Sequence, residues 1–424
     1  MAKPNLALIP ATIGDKVYSI LPNDSVGDFD FDRASTATRI NAQGLIEEVA
    51  SGENRLNYSL LDGEVVGCPH LLLEDEATNL LQYSEDFSNA AWSKSNSSIT
   101  SNSVISPDGT QNADKLIPNA TSSVNKYIYT IPTTSNWIDY TLTVFAKEGE
   151  YDMLRLEDGN NSQGAWFDLS NGTLGTVGTS VTAKIQNYGN GWYRCSVTKP
   201  SVSTSVFFVI SASNTESIQV GDGTSGVYIY VAMLEQGSYP TSYIKTTSAA
   251  VTRAAETCDG SGNAATFNDS EGVLMAEISA FEYPVTQNNW LTITDGSINN
   301  SIGIVFENTG TVVARHEVGG VNYSYLTHTI DYSNVLKVVF KYKLNDLELW
   351  VNGFKVDTLT SSPIFPNNTL DSLQLQYGGG SNTFYGNTKQ LQYFDSILDS
   401  EQLEQLTSWD SFRAMAEGQL YTIE

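Results

Sequence analysis

GDGTSGVYIYVAMLEQGSYPTSYIKTTSAAVTR, residues 221–253, decides the fold class. After a Gly-Asp-Gly turn, Val227 to Leu234 alternate, placing Val227, Ile229, Val231 and Met233 on one face and the tyrosines on the other. That is the period of a β-strand. Beyond it the pattern dissolves into Gly237, Pro240 and a Ser/Thr/Ala run that ends at Arg253, too polar to be core. The strand reads as the last of a central β-sandwich and the run as a hinge to a second one. On this reading a rigid, buried joint would weaken the picture of an adhesion arm. No chemistry is visible in the stretch.

The rest of the chain supports an all-β class. Its 424 residues exceed one ordinary domain. Hydrophobic residues at 40% and aromatics at 11% are enough to build cores. Thr, Ser, Val, Tyr and Gly abound, and windows with a sustained helical period are scarce. A formal charge of -26 repels nucleic acid and anionic membrane surfaces over the whole surface. It also offers carboxylates to divalent cations, although solubility is its plainest meaning. Cys68, Cys195 and Cys258 are far apart, with neither a CxxC pair nor a zinc pattern, and read as buried or incidental thiols. No apolar h-region follows Met1 and no run of about 20 apolar residues occurs. The expectation is synthesis in a cytosol with no signal peptide and no membrane insertion.

Residues 1–78 do not pattern as an independent globule. Short apolar pieces (Leu6 to Ile9, Val17 to Leu21, Leu45-Ile46, Leu71 to Leu73) are separated by turn-rich polar segments. Such a segment gains order by packing on something else. Within it stand Phe29-Asp-Phe-Asp-Arg33, Arg33-Ala-Ser-Thr36, Ala37-Thr-Arg39, Asn41, Gly44-Leu-Ile-Glu-Glu-Val49, Arg55, Tyr58, Gly67-Cys-Pro69, Leu71 to Glu74 and Thr78-Asn-Leu80. This block resembles the N-terminal region of tailed-bacteriophage virion appendage proteins. Asn54 departs from it, standing where that family usually carries proline. The resemblance implies an extended segment that anchors the chain to other virion proteins.

From residue 79 to 253 strands follow at roughly sandwich spacing: Ile138 to Ala146, Gly164 to Gly172 with an Asn-Gly turn, Trp192 to Cys195, Val206 to Ile210, and the stretch quoted first. Asn79-Leu-Leu81, Ser84-Glu-Asp-Phe87, Pro107-Asp-Gly-Thr110, Phe167-Asp-Leu-Ser170, Asn190-Gly-Trp-Tyr-Arg-Cys195 and Val251-Thr-Arg253 resemble a carbohydrate-binding-module-like jelly roll found in phage tail proteins. Residues 254–271 read as a linker. Residues 272–424 bring further strands, the turns Asn345-Asp346 and Asn352-Gly353, and a helix from Asp399 with Gln402 as its capping-box partner. This last part is similar to the laminin-G, concanavalin-A-like sandwich. The expected fold is therefore all-β: an N-terminal extended anchoring segment plus two β-sandwich (jelly-roll) domains, with a short C-terminal helix.

Candidate chemistry is sparse. His70 follows Cys68-Pro69; His316 and His328 lie near Arg315, Tyr323 and Tyr325, a grouping that could serve a polysaccharide lyase. Against it, the alternation of both segments places these as solvent-face strand residues, and no catalytic residue is assigned. Carboxylate pairs such as Glu157 with Asp158, or Glu277 with Glu348, are not singled out among so many acids. Jelly rolls of the resembled type hold a structural calcium ion between first and last strands. The resemblance puts its ligands at Glu85 or Asp86, at Glu235, and at Asp108. The plainer reading of Glu235 is a strand-end cap. Glycan contacts would use exposed aromatic rings: Trp137, Trp166, Trp192, Tyr228 and Tyr230 in the central unit, and Tyr323, Tyr325 and Tyr385 in the last, although most such rings are core. Of these, Trp137, Trp166, Tyr323, Tyr325 and Tyr385 are the expected contacts. The functional expectation is a non-enzymatic virion protein, homo-oligomeric, that adheres to host-surface glycan. A head or neck decoration protein and a depolymerase are the rivals.

Overall fold

The computed structural model describes every residue except 1, 123–124, 137, 161, 201–203, 282–287, 332–333, 412–413 and 416–424. The expected all-β class holds, with β-sandwiches and a short helix. In the central unit two six-stranded sheets face each other. One runs, in spatial order, Ser93–Ser95, Tyr127–Thr130, Phe208–Ser213, Met153–Asp158, Gln163–Asp168 and Thr173–Val177; the other Ser97–Val104, Ala113–Pro118, Val227–Gln236, Asp139–Lys147, Trp192–Pro200 and Thr182–Asn187. Leu142, Val144, Leu154, Phe167, Val197, Ile210, Ile229 and Leu234 fill the space between them.

Strict alternation fails inside Val227–Gln236. Phe145 pairs with Tyr230 and Val144 with Ala232, so Val231 is an extra residue, with φ +36°. A bulge shifts the phase of everything after it. Val227 and Ile229, then Ala232 and Leu234, face the sandwich core, whereas Val231 and Met233 face away from it. That outward face is covered. Tyr230, Val231, Phe145 and Trp192 pack with Ile46 from the N-terminal segment and with Tyr243.

The second sandwich draws strands from both ends of the chain. Its larger sheet runs Phe354–Leu359, Leu347–Val351, Leu336–Lys343, Glu271–Ala280, Gly386–Phe394, Glu64–Leu73 and Arg55–Leu61, with Leu6–Leu8 also paired to Gly386–Phe394. Its smaller sheet runs Val321–Thr329, Thr311–Val318, Ser301–Glu307, Asn289–Thr294 and Ser372–Gln374. Leu6, Leu8, Leu71 and Leu73 share one core with Leu274, Ile304, Phe340 and Tyr393. The partner that orders much of residues 1–78 is thus this chain's own C-terminal part, because those leucines complete a sheet and a core left open without them. The expected linker is not a linker throughout: Thr257–Asp259 pairs with the Phe29–Asp32 strand, burying Cys258. Helix Ser400–Thr407 starts as expected at Asp399, whose side chain accepts from the Gln402 N–H, and it buries Leu403 and Leu406 against Met275, Val339 and Trp350.

The polar run after Gln236 is not a free hinge either. Val251–Arg253 pairs with Ala77–Asn79, and the Asn79 amide donates to the Ile244 carbonyl at 2.9 Å. Arg253 enters a buried ionic cluster. Arg33 meets Glu256 at 2.7 Å, Arg55 meets Glu74 at 2.8 Å and also Glu256, and Arg253 meets Glu74 at 2.9 Å. Burial favours the protonated Glu74, but Arg253 and Arg55 overcome it and hold the carboxyl down at about 2. The joint is therefore rigid and buried. Burying such charges is costly, and the geometry is what repays it: each guanidinium has a carboxylate, and each carboxylate more than one donor.

Candidate functional site

The side chains that best form a recognition surface lie on the outer face of the smaller sheet of the second sandwich. In Asn289–Thr294, Leu291 and Ile293 point into the core, so Trp290 lies on the other face, where packing with Val305, Val313 and Tyr377 leaves it only 4% exposed. The Tyr377 ring stacks on Trp290 with centroids 4.0 Å apart. The Arg315 guanidinium lies 5.1 Å from the centre of Trp290 and 5.8 Å from that of Tyr325, sandwiched between the two rings. Register accounts for this, since Arg315 pairs with Tyr325 across neighbouring strands.

Carboxylates fix the rim. Tyr325 donates its hydroxyl to Glu307, and Tyr377 donates to Glu317 at 2.9 Å. Burial, together with Glu317, pushes the Tyr377 phenol up to about 12, so it remains a donor at any physiological pH. Arg315 is 3.9 Å from Glu317, too long for a hydrogen bond, and its Nε has no partner. The Trp290 indole N–H is also without one. Tyr325 stays 53% exposed. The result is a layered aromatic platform with a held cation, whose outermost ring is free to stack on a flat apolar face.

Of the expected glycan contacts, only Tyr325 belongs here. Tyr323 is exposed, but it is a bulged residue: Asn322 pairs with Glu317 and Ser324 with His316, which leaves its ring 6.4 Å from His316 rather than beside Arg315. Trp166 is buried, its ring 5.5 Å from the Arg155 guanidinium, and Tyr385 is buried with it in character, closing the core of the second sandwich. Neither can stack on a ligand. Trp192 and Tyr230 are buried too, while Tyr228 is half-buried against Lys115. Trp137 lies outside the described residues. Trp290, Tyr377, Glu307 and Glu317 were not anticipated. Their signal was an aromatic on the polar side of an alternating strand, Asn289-Trp-Leu-Thr-Ile-Thr294.

The lyase grouping is split by the sheet. Arg315 and Tyr325 face out, whereas His316 is 1% exposed and packs edge-on to Phe365, 4.9 Å away. Burial alone pulls this imidazole down to about 4. It is not the solvent-face residue that alternation implied, and it shares no groove with Arg315.

The calcium ligands do not fit together. Glu85 accepts from Tyr243 at 3.0 Å and pairs with Lys245 at 2.8 Å. Asp86 caps its own turn through Ser88 and Asn89. Asp108 is saturated by Ser106, Thr110, Asn112 and Tyr230. Glu235, fully buried, accepts from the Thr241 N–H at 2.9 Å and its hydroxyl at 2.7 Å. Among the described residues no group of three or more His, Cys, Asp or Glu side chains is placed to hold a metal ion.

No family model and no curated protein matches this sequence. Among solved structures it is similar to the CBM40 of the Ruminococcus gnavus IT-sialidase, bound to α2,3-sialyllactose, at 15% identity over 33% of this chain and 84% of that one, TM-score 0.30. The same CBM40 bound to α2,6-sialyllactose gives 15% identity over 34% and 85%, TM-score 0.29. Domains LG4-5 of the mouse laminin α1 chain give 10% identity over 64% and 88%, TM-score 0.23. Scores this low leave the functional reading to the side chains described above.

Proposed function

We propose that this chain is a non-enzymatic glycan-binding protein of a tailed-phage virion appendage, and that the outer face built on Trp290, Tyr377, Arg315 and Tyr325 touches the glycan. The observation that supports it is the exposed Tyr325 ring, its centre 5.8 Å from a guanidinium that itself lies 5.1 Å from the centre of Trp290. Sugars present apolar C–H faces to such rings and hydroxyls or carboxylates to such cations. One platform binds weakly. Several copies on one particle turn weak contacts into stable adhesion, which is why homo-oligomerisation belongs to this reading.

The virion part of the proposal rests on the resemblance of residues 29–80 and 79–253 to appendage proteins. Residues 1–78 still offer a docking surface, because Ile9, Tyr18 and Ile20 are exposed on chain segments joined by hydrogen bonds from Tyr18 N to Ala11 O and from Ile20 N to Ala7 O. The buried joint weakens the picture of an adhesion arm, and the proposal rests on the platform instead.

The test is a glycan array probed with the full chain and its Tyr325→Ala variant, with host polysaccharide assayed in parallel for new reducing ends or unsaturated sugars. Binding to a subset of glycans that Tyr325→Ala removes supports the reading. No binding at all would leave the decoration role, and released sugars would make the chain a depolymerase.

A further inference from the structure

Arg315 and Glu317 stand two residues apart on the strand Thr311–Val318, and so on the same face of the sheet. Opposite charges so placed ordinarily close on each other. These two do not: Nη2 of Arg315 stops 3.9 Å from Oε1 of Glu317. That distance is beyond a hydrogen bond.

Other partners hold the two ends apart. The guanidinium is kept between Trp290 and Tyr325, and the second Glu317 oxygen, Oε2, accepts from the Tyr377 hydroxyl at 2.9 Å and from the Ser301 hydroxyl at 3.4 Å. Among the described residues Arg315 Nη2 and Glu317 Oε1 make no hydrogen bond. Unlike Arg315 Nε, neither is sealed from solvent, and the two side chains are 21% and 11% exposed. The pair is a fixed donor and a fixed acceptor, open to solvent, with a gap that one oxygen atom spans.

An oxygen in that gap has two tasks, to accept from the guanidinium and to donate to the carboxylate. A hydroxyl does both. A carboxylate or sulfate ester accepts from Arg315 but has no proton to give to Glu317. It would also lie against Glu317 and Glu307, two carboxylates around one guanidinium, in a chain whose net charge is -26. A sugar hydroxyl that displaces water here reproduces both of its hydrogen bonds, so the exchange loses nothing.

We propose that the platform selects neutral sugars. One hydroxyl bridges Arg315 Nη2 and Glu317 Oε1 while the sugar's apolar face stacks on Tyr325, and Glu317 excludes uronates and other acidic sugars from that position. This rests on the reading, proposed above, that the platform touches glycan.

The test is an array of neutral oligosaccharides, each printed beside its counterpart in which every hexose C6 is oxidised to the carboxylate, probed with the full chain, Tyr325→Ala and Glu317→Gln. The full chain is expected to bind neutral members at least tenfold more tightly than their oxidised partners, and Tyr325→Ala to lose them. Glu317→Gln should weaken the neutral members about tenfold without weakening the oxidised ones, a change of preference that a loss of stability alone does not produce. Oxidised members bound as tightly as neutral ones, or a preference unchanged in Glu317→Gln, would overturn the selection for neutral sugars while leaving the platform standing, provided Tyr325→Ala still abolishes binding. No binding, or binding that Tyr325→Ala leaves intact, overturns both. Circular dichroism checks that Glu317→Gln is folded; if it is not, the neutral-to-oxidised ratio of the unaltered chain decides alone.

Discussion

Tyr325 and Arg55 show how differently two polar side chains are used in this molecule. Tyr325 is half in solvent, its ring beside Arg315 and its hydroxyl on Glu307, so Tyr325→Ala is expected to lower glycan affinity tenfold or more while costing about 1 kcal/mol of stability, the usual worth of one hydrogen bond. Thermal melting beside the array reads both. Arg55 is fully buried between Glu74 and Glu256, and Arg55→Met leaves two buried carboxylates with one guanidinium each, Arg253 and Arg33. Chemical denaturation should show a loss of about 3–5 kcal/mol, the usual cost of breaking a buried pair from one side. Titration follows from the same burial. Burial, with the charge of Lys389, pulls His70 from 6.5 down to about 3, and Glu74 is held at about 2 against an ordinary 4.5. In both cases the unfolded chain takes up protons that the folded chain refuses, so these groups remove stability as pH falls, His70 from about 6.5 and Glu74 from about 4.5. Glu235 acts oppositely. Burial raises it from 4.5 to about 7, so the folded chain keeps a proton that the unfolded chain releases, and its contribution is lost as pH rises through that window. Melting curves from pH 4 to 8 on His70→Gln and Glu235→Gln should therefore change the slope of the profile in opposite directions between about pH 4.5 and 6.5, His70→Gln removing a rise with pH and Glu235→Gln a fall.

At the scale of elements, local signals were legible and their phase was not. The capping box of Asp399 and Gln402 and the Asn352-Gly353 turn, both residues at positive φ, stand where the residues announce them, because caps and turns are decided by a few neighbouring atoms. Asp399→Ala is expected to cost about 1 kcal/mol in denaturant titration. Alternation told strand from helix and placed Tyr323 correctly in solvent, yet misplaced Val231 and Met233, since one bulge in their strand moves every later residue out of phase without altering composition. His316 was misread for a related reason: a polar residue in an alternating strand looks solvent-facing until Phe365 and the sheet's inner side are seen around it. The expected calcium ligands failed through competition. Each carboxylate is taken by donors close in the fold, several of them within its own turn, and spacing alone does not reveal that.

For the whole molecule, the order of strands matters more than the order of the chain. Leu6–Leu8, Arg55–Leu61 and Glu64–Leu73 complete a sheet otherwise made of residues 271–394, and the jelly roll that follows them in the chain is held at both ends by the arginine cluster. That long-range closure is invisible to periodicity, which is why residues 1–78 read as a separate anchor. A fragment of residues 272–424 should consequently be insoluble or unfolded by circular dichroism when expressed alone, because it bares the Gly386–Phe394 strand edge and the core leucines' seats, whereas the full chain folds. The central claim is that the outer platform touches glycan, and the indole N–H signals of the chain's seven tryptophans report on it directly. In a ¹H–¹⁵N titration of the full chain with a glycan bound on the array, the signal assigned by Trp290→Phe, whose buried ring lies beside Arg315, is expected to shift progressively to saturation, while those of Trp92 and Trp350, which lie outside this sheet, hold still. A Trp290 signal that does not move at saturating glycan would contradict the account.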